Sequence, residues 1–230
     1  MRKLGTTLVA GALLFGLIGS AHAGKAATVF EDPANDAGNT EQGVVLPPAT
    51  LAGLDLVSGT IAKSGKDLEF TVTNAAAMPQ MGSAGEAFRL LWHINVGGNE
   101  YRFTVKSLDV GKPDVLAQAG TERVGQVYQG VARLETCAEE ALPAVLTLVN
   151  CNASEYFQAT FDPAAATVTW KVPLASVKAK TGTIVAGGTS GSANTNCVIC
   201  WVPQYAERSL TPSTIVDSAV MTTTYKVPKK

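Results

Sequence analysis

The stretch FRLLWHINV-GG-NEYRFTV, residues 88–105, constrains this chain more than any other. Phe88, Leu90, Trp92, Ile94 and Val96 occupy even positions on the first arm. Tyr101, Phe103 and Val105 occupy odd positions on the second. Gly97-Gly98 between them is a type I′ turn signal, because both central residues of that turn need φ > 0. A two-residue loop sets Val96 opposite Asn99. Ile94 then meets Tyr101, Trp92 meets Phe103 and Leu90 meets Val105. Every large apolar side chain falls on one face, and a one-residue slip would turn one arm's set to water. The hairpin predicts a β-sheet core. His93, on the other face opposite Arg102, is expected to be a polar-face residue.

The rest of the chain repeats the same grammar. Short alternating segments are expected over 26–31, 54–62, 68–74, 123–135, 156–161, 167–172 and 215–227, separated by Gly, Pro, Asn and Asp. The turn between the second and third segments is unsettled, but Val57 and Ile61 are expected to share the face of Leu68, Phe70 and Val72. Residues 42–50 form a Pro-bearing connector, Asp162-Pro163 a hairpin corner, and 173–177 a short helical turn. Glu139-Glu140 suggests another helical turn before Pro143. Helical periodicity is nearly absent and no internal repeat is present. The pattern fits an all-β fold, an antiparallel β-sandwich of jelly-roll type with little helix, as one domain over residues 24–230.

Arg2 and Lys3, an apolar run from Leu8 to Ile18 and Ala21-His22-Ala23 read as a secretory signal peptide over residues 1–23. The run is short for a bilayer span, so no membrane insertion is expected. The expectation is an exported, soluble product. Loss of Arg2 and Lys3 takes the formal charge from −1 to −3. No basic stripe or basic amphipathic helix is visible, so nucleic acid is not an expected partner.

Export makes an even cysteine count read as disulfides. Cys137–Cys151 across one loop and Cys197–Cys200 as a local bridge are the favoured pairing. A redox role for Cys197-Val-Ile-Cys200 would want the first cysteine at a helix N-terminus. Here it follows a Gly/Ser/Thr/Asn stretch in a β-rich context. A four-cysteine zinc site lacks close spacing at 137/151.

Catalytic constellations are sparse. His93 is the one histidine after residue 23, and nothing resembles a nucleophile elbow. Met78 or Met81 with His93 is a chance pairing as haem ligands. Glu69, Glu100 and Glu139-Glu140 make no acid pair suited to glycoside hydrolysis. The chain is expected not to be an enzyme. More suggestive is Asp32, Asn35, Asp36 and Asn39 within eight residues, with Gly38 permitting a tight turn. Calcium takes six to eight such oxygens, although the spacing is not that of an EF-hand. An ordinary Asx-rich surface turn is the alternative.

Asp32-Pro33-Ala34-Asn35-Asp36, Leu54-Asp55-Leu56, Asp67-Leu68-Glu69-Phe70, Asp217-Ser218-Ala219 and Tyr225-Lys226-Val227 together carry a resemblance. The chain resembles the secreted bacterial β-sandwich domains grouped around DOMON and carbohydrate-binding module family nine. The resemblance implies a structural calcium held by Asp32 and Asp36 first, then Asp55 and Asp217. It also implies a sugar ligand gripped between exposed aromatics. Trp92 and Trp170 fall on core faces, which leaves Trp201 and Tyr205 as the platform, with Tyr128 behind them. Packing of Trp201 over the Cys197–Cys200 bridge is the competing placement. The expected function is a non-catalytic exported binding module for carbohydrate or another cell-surface ligand. The alternative is a structural or interaction protein of the envelope or extracellular space with no small-molecule ligand.

Overall fold

The computed structural model describes residues 24–38, 46, 48–77, 88–107, 128–141, 147–188, 197–203 and 215–229. The expected leader, Met78, Met81 and Tyr205 lie outside them, as does the side chain of Tyr128. Among the described residues no helix is long and apolar enough to cross a membrane.

The fold is antiparallel β throughout. Its strands are β1 (Ala27–Glu31), β2 (Leu56–Ser64), β3 (Asp67–Asn74), β4 (Phe88–Val96), β5 (Asn99–Ser107) and β6 (Tyr128–Ala141). Then come β7 (Thr147–Asp162), β8 (Thr167–Pro173), β9 (Ile184–Gly187), β10 (Ile199–Pro203), β11 (Asp217–Ala219) and β12 (Tyr225–Lys226). The hydrogen-bonded order is β1-β2-β3-β8-β7-β6-β5-β4-β10-β11, with β9 pairing β4 and β12 pairing β9. The pairing forms one continuous sheet. Its two ends approach each other, as in a nearly closed barrel. Thr222 N donates to Val29 O at 2.9 Å, and Thr223 Oγ1 to Thr28 O at 2.9 Å.

The Gly97-Gly98 hairpin forms in the register its loop dictates. Val96 pairs Asn99, Ile94 pairs Tyr101, Trp92 pairs Phe103 and Leu90 pairs Val105. The two glycines have φ of 58° and 92°. Asn95 fastens the turn, its Oδ1 accepting from Gly98 N at 2.9 Å and its Nδ2 donating to Glu100 at 2.6 Å. Inside, Trp92 meets the edges of Phe30, Phe70 and Trp170, while Phe70 stacks on Trp170. Edge-to-face pairs of this kind add to simple burial. Phe30 lies over Gly59, where a Cβ would sit 2.0 Å from its ring. Glycine is therefore required on β2 at the point where β1 crosses it.

The structure departs from the sequence reading at several places, each for a tertiary reason. His93 does pair Arg102, but it is only 1 % exposed. Strand β4 is buried on both faces. Its second face carries a small separate cluster of Leu91, Val202 and the two bridged cysteines Cys197 and Cys200, with Ile215 against it. Beside it Glu135, 3 % exposed, takes Arg102 Nε at 2.5 Å, Arg133 Nη2 at 3.0 Å and Thr104 Oγ1 at 3.0 Å. His93, Arg102 and Glu135 thus form one cross-strand row.

Glu139-Glu140 belongs to β6, not to a helical turn. Its ladder with β7 runs on to Ala141 and Thr147, and Cys137 faces Cys151 across it. Both expected disulfides are present, the first as a cross-strand staple within the ladder. The Pro-bearing connector contains a short helix, α1 (Pro48–Gly53). The β2–β3 loop is Gly65-Lys66, with Ser64 pairing Asp67. A bulge between Leu56 and Ser58 turns Leu56 inward and leaves Val57 half-exposed, so Ile61 keeps the expected face and Val57 does not. The last segment is two strands, β11 and β12, joined by residues that cross to β1.

Candidate cation site at the sheet seam

The seam between the first and last strands is acidic. Asp32 follows β1, and its N–H donates to Val57 O at 2.9 Å, at the bulge that re-aims β2. The loop then turns through Asn35, whose φ of 73° is the left-handed conformation that asparagine tolerates well. Asn35 N donates to Asp55 Oδ2 at 2.6 Å, which anchors the loop to the start of β2. Gly38 N donates to Val216 O at 2.8 Å, which anchors it to the approach to β11. Asp217 in β11 takes Leu56 N at 2.5 Å and Ser218 N at 2.7 Å. The sequence-distant pieces are therefore tied by backbone donors.

The result brings carboxylate oxygens of Asp32, Asp36 and Asp217 within 4.8 Å of one another. Their burial is graded: Asp217 is 7 % exposed, Asp32 is half-buried and Asp36 faces solvent. Asp55 stands behind them, 1 % exposed, with no hydrogen-bond partner for its Oδ1. Asp32 Oδ2 is likewise buried and unpartnered. Burial raises the Asp32 carboxyl from 3.8 to about 6, helped by the negative charges of Asp36 and Asp55. Burial raises Asp217 from 3.8 to about 7, against the hydrogen bonds from Leu56 and Ser218 and with the charges of Asp32 and Asp36. Like charges this close repel unless a proton or a cation intervenes. The donor set is all oxygen, which suits a hard cation such as calcium.

Three of the four expected ligands, Asp32, Asp36 and Asp217, converge. Asp55 is not in that cluster; it is buried and accepts from Asn35 N. Asn39 lies outside the described residues. The aromatic platform is not formed by Trp201, which is 0 % exposed. Strand alternation puts Ile199 and Trp201 on the main core and Cys200 and Val202 on the opposite face. Trp201 therefore packs neither in solvent nor over the disulfide. Its Nε1 donates to Asn74 Oδ1 at 2.9 Å, and it pairs Asp217 across β10–β11. Asn74, 3 % exposed, belongs to this seam although no sequence motif marks it. Its position at the end of β3 opposite Leu56 is the signal that places it there. Comparison with protein-family models, curated proteins and solved structures finds no match to this chain.

Proposed function

We propose that this chain is an exported, non-catalytic β-module whose seam holds a structural calcium ion, and that it works by recognition or assembly at the cell surface. The observation that carries the calcium reading is the convergence of Asp32, Asp36 and Asp217 over the buried, unsatisfied Asp55 Oδ1. A cation there offsets the carboxylate repulsion and ties the loop after β1 to β11. Export is supported by the leader-like first 23 residues and by two disulfides. The likeness to DOMON-type modules rests on its motif residues alone. Carbohydrate as the ligand loses the support of Trp201, so a protein or surface partner is the better reading of the same module.

Calcium titration by calorimetry tests the site. One equivalent binds to the wild-type chain, is lost in Asp36→Ala and is kept in Asp67→Ala, a carboxylate at the opposite end of β2 and β3. Asp36 is exposed, so its replacement leaves the fold intact. Absence of calcium heat together with absence of calcium by elemental analysis overturns the site. A glycan array on the wild-type chain tests the ligand class. Specific glycan binding restores the carbohydrate reading.

A further inference from the structure

Lysines that are far apart in sequence meet at one end of the sheet. Lys25 leads into β1, and Lys66 lies in the β2–β3 turn. Lys178 and Lys180 lie in the turns after β8, and Lys226 and Lys229 in and after β12. All six are exposed. Backbone hydrogen bonds hold these pieces together. Gly24 N donates to Lys63 O at 2.7 Å, Leu174 N to Lys66 O at 2.9 Å and Gly182 N to Val227 O at 2.8 Å. Lys63, half-buried at the same end, donates its Nζ to Pro228 O at 3.2 Å. The described carboxylates nearby are Asp67, Glu69, Glu100 and Glu155, and Glu69 is paired with Lys171. Glu100 is engaged by Asn95 and Glu155 by Ser176. The acidic seam is at the other end of β2, roughly 26 Å away along the strand.

Amid these lysines Ile184 is 42 % exposed, directly opposite Lys226 on β12. Gly97 N donates to Ile184 O at 3.1 Å, so Ile184 sits beside the β4–β5 turn. Lysines around an exposed aliphatic side chain are the pattern of a peripheral membrane contact. The lysines meet headgroup phosphates as point charges, and the apolar side chain enters the interface. Arginine grips a single phosphate bidentately, but Arg102 and Arg133, further along β5 and β6, are engaged by Glu135, which leaves lysines as the exposed cations of this end. That favours a diffuse anionic surface over one selected phosphate group.

We propose that this lysine-rich end is a docking surface for an anionic lipid bilayer, with Ile184 at its centre. The proposal does not depend on the calcium reading, and the test keeps the two apart. The exported form of the chain is sedimented with phosphatidylcholine vesicles, with and without phosphatidylglycerol, in excess chelator. It is expected to pellet with the anionic vesicles alone and to be released by high salt. Lys178→Gln/Lys180→Gln/Lys226→Gln should weaken partitioning about a hundredfold, with an unchanged melting midpoint. Ile184→Ser should weaken vesicle binding and leave binding to soluble polyphosphate unchanged. Equal pelleting with both vesicle types, or none with either, overturns the proposal. So does binding to polyphosphate or nucleic acid without vesicle binding. Pelleting that needs calcium and survives the triple lysine variant assigns the contact to the acidic seam instead and also overturns it.

Discussion

The two ends of this sheet gather charge of opposite sign in physically different ways. At the acidic end the charges are graded from solvent to core: Asp36 is exposed, Asp217 and Asp55 are buried, and two backbone donors hold Asp217 in place. At the basic end six lysines stand in solvent. Buried like charges have lost their water and must be neutralised within the structure. Exposed like charges are screened and cost the fold little. The same clustering is therefore a demand for a counterion at one end and an offer to a partner at the other.

That contrast is easiest to break through the packing beneath the acidic end. Trp201→Ala should cost about 3–5 kcal/mol, because it opens a cavity and strips Asn74 of its indole donor. Denaturant unfolding measures this. A cost below about 1 kcal/mol would show that Trp201 is not the interior support described here.

A smaller effect is the pH dependence of the cation-free protein. The folded value for Asp217, about 7, lies above the ordinary 3.8. The folded state then holds this proton more tightly than the unfolded state does, so the contribution favours folding at low pH. It is lost as pH rises from 3.8 through about 7. Asp32, raised to about 6, acts in the same direction. Melting in chelator should fall across this window in the wild type, and the fall should be shallower in Asp217→Asn, which keeps an acceptor for Leu56 N. Parallel curves for the two proteins would remove Asp217 as the group responsible. The smallest effect belongs to the basic end, where Lys178→Gln and Lys226→Gln should each stay within about 0.5 kcal/mol of wild type. A larger change would mean that these lysines carry structural contacts.

What could be read from the sequence follows from how local each determinant is. The 88–105 hairpin is legible pair by pair because a two-residue loop leaves one register that keeps the apolar face together. The opening acidic loop is legible because its residues are consecutive. Asp217 came into view only through a resemblance, since nothing local ties it to Asp32. Burial of His93 depends on what covers the second face of β4, which no period-two pattern reports. The direction of Trp201 depends on which face of β10 meets the main core. The lysine-rich end comes from segments more than 150 residues apart and leaves no local trace, which is why a search for a basic stripe misses it.

Whether the acidic seam holds a cation is tested most directly by thermal melting above pH 7. With free calcium at a hundred times its dissociation constant, stability should rise by about 2.7 kcal/mol, or roughly 5–10 °C in midpoint, relative to excess chelator. Asp36→Ala should abolish the shift. Equal midpoints with calcium and with chelator would contradict the account.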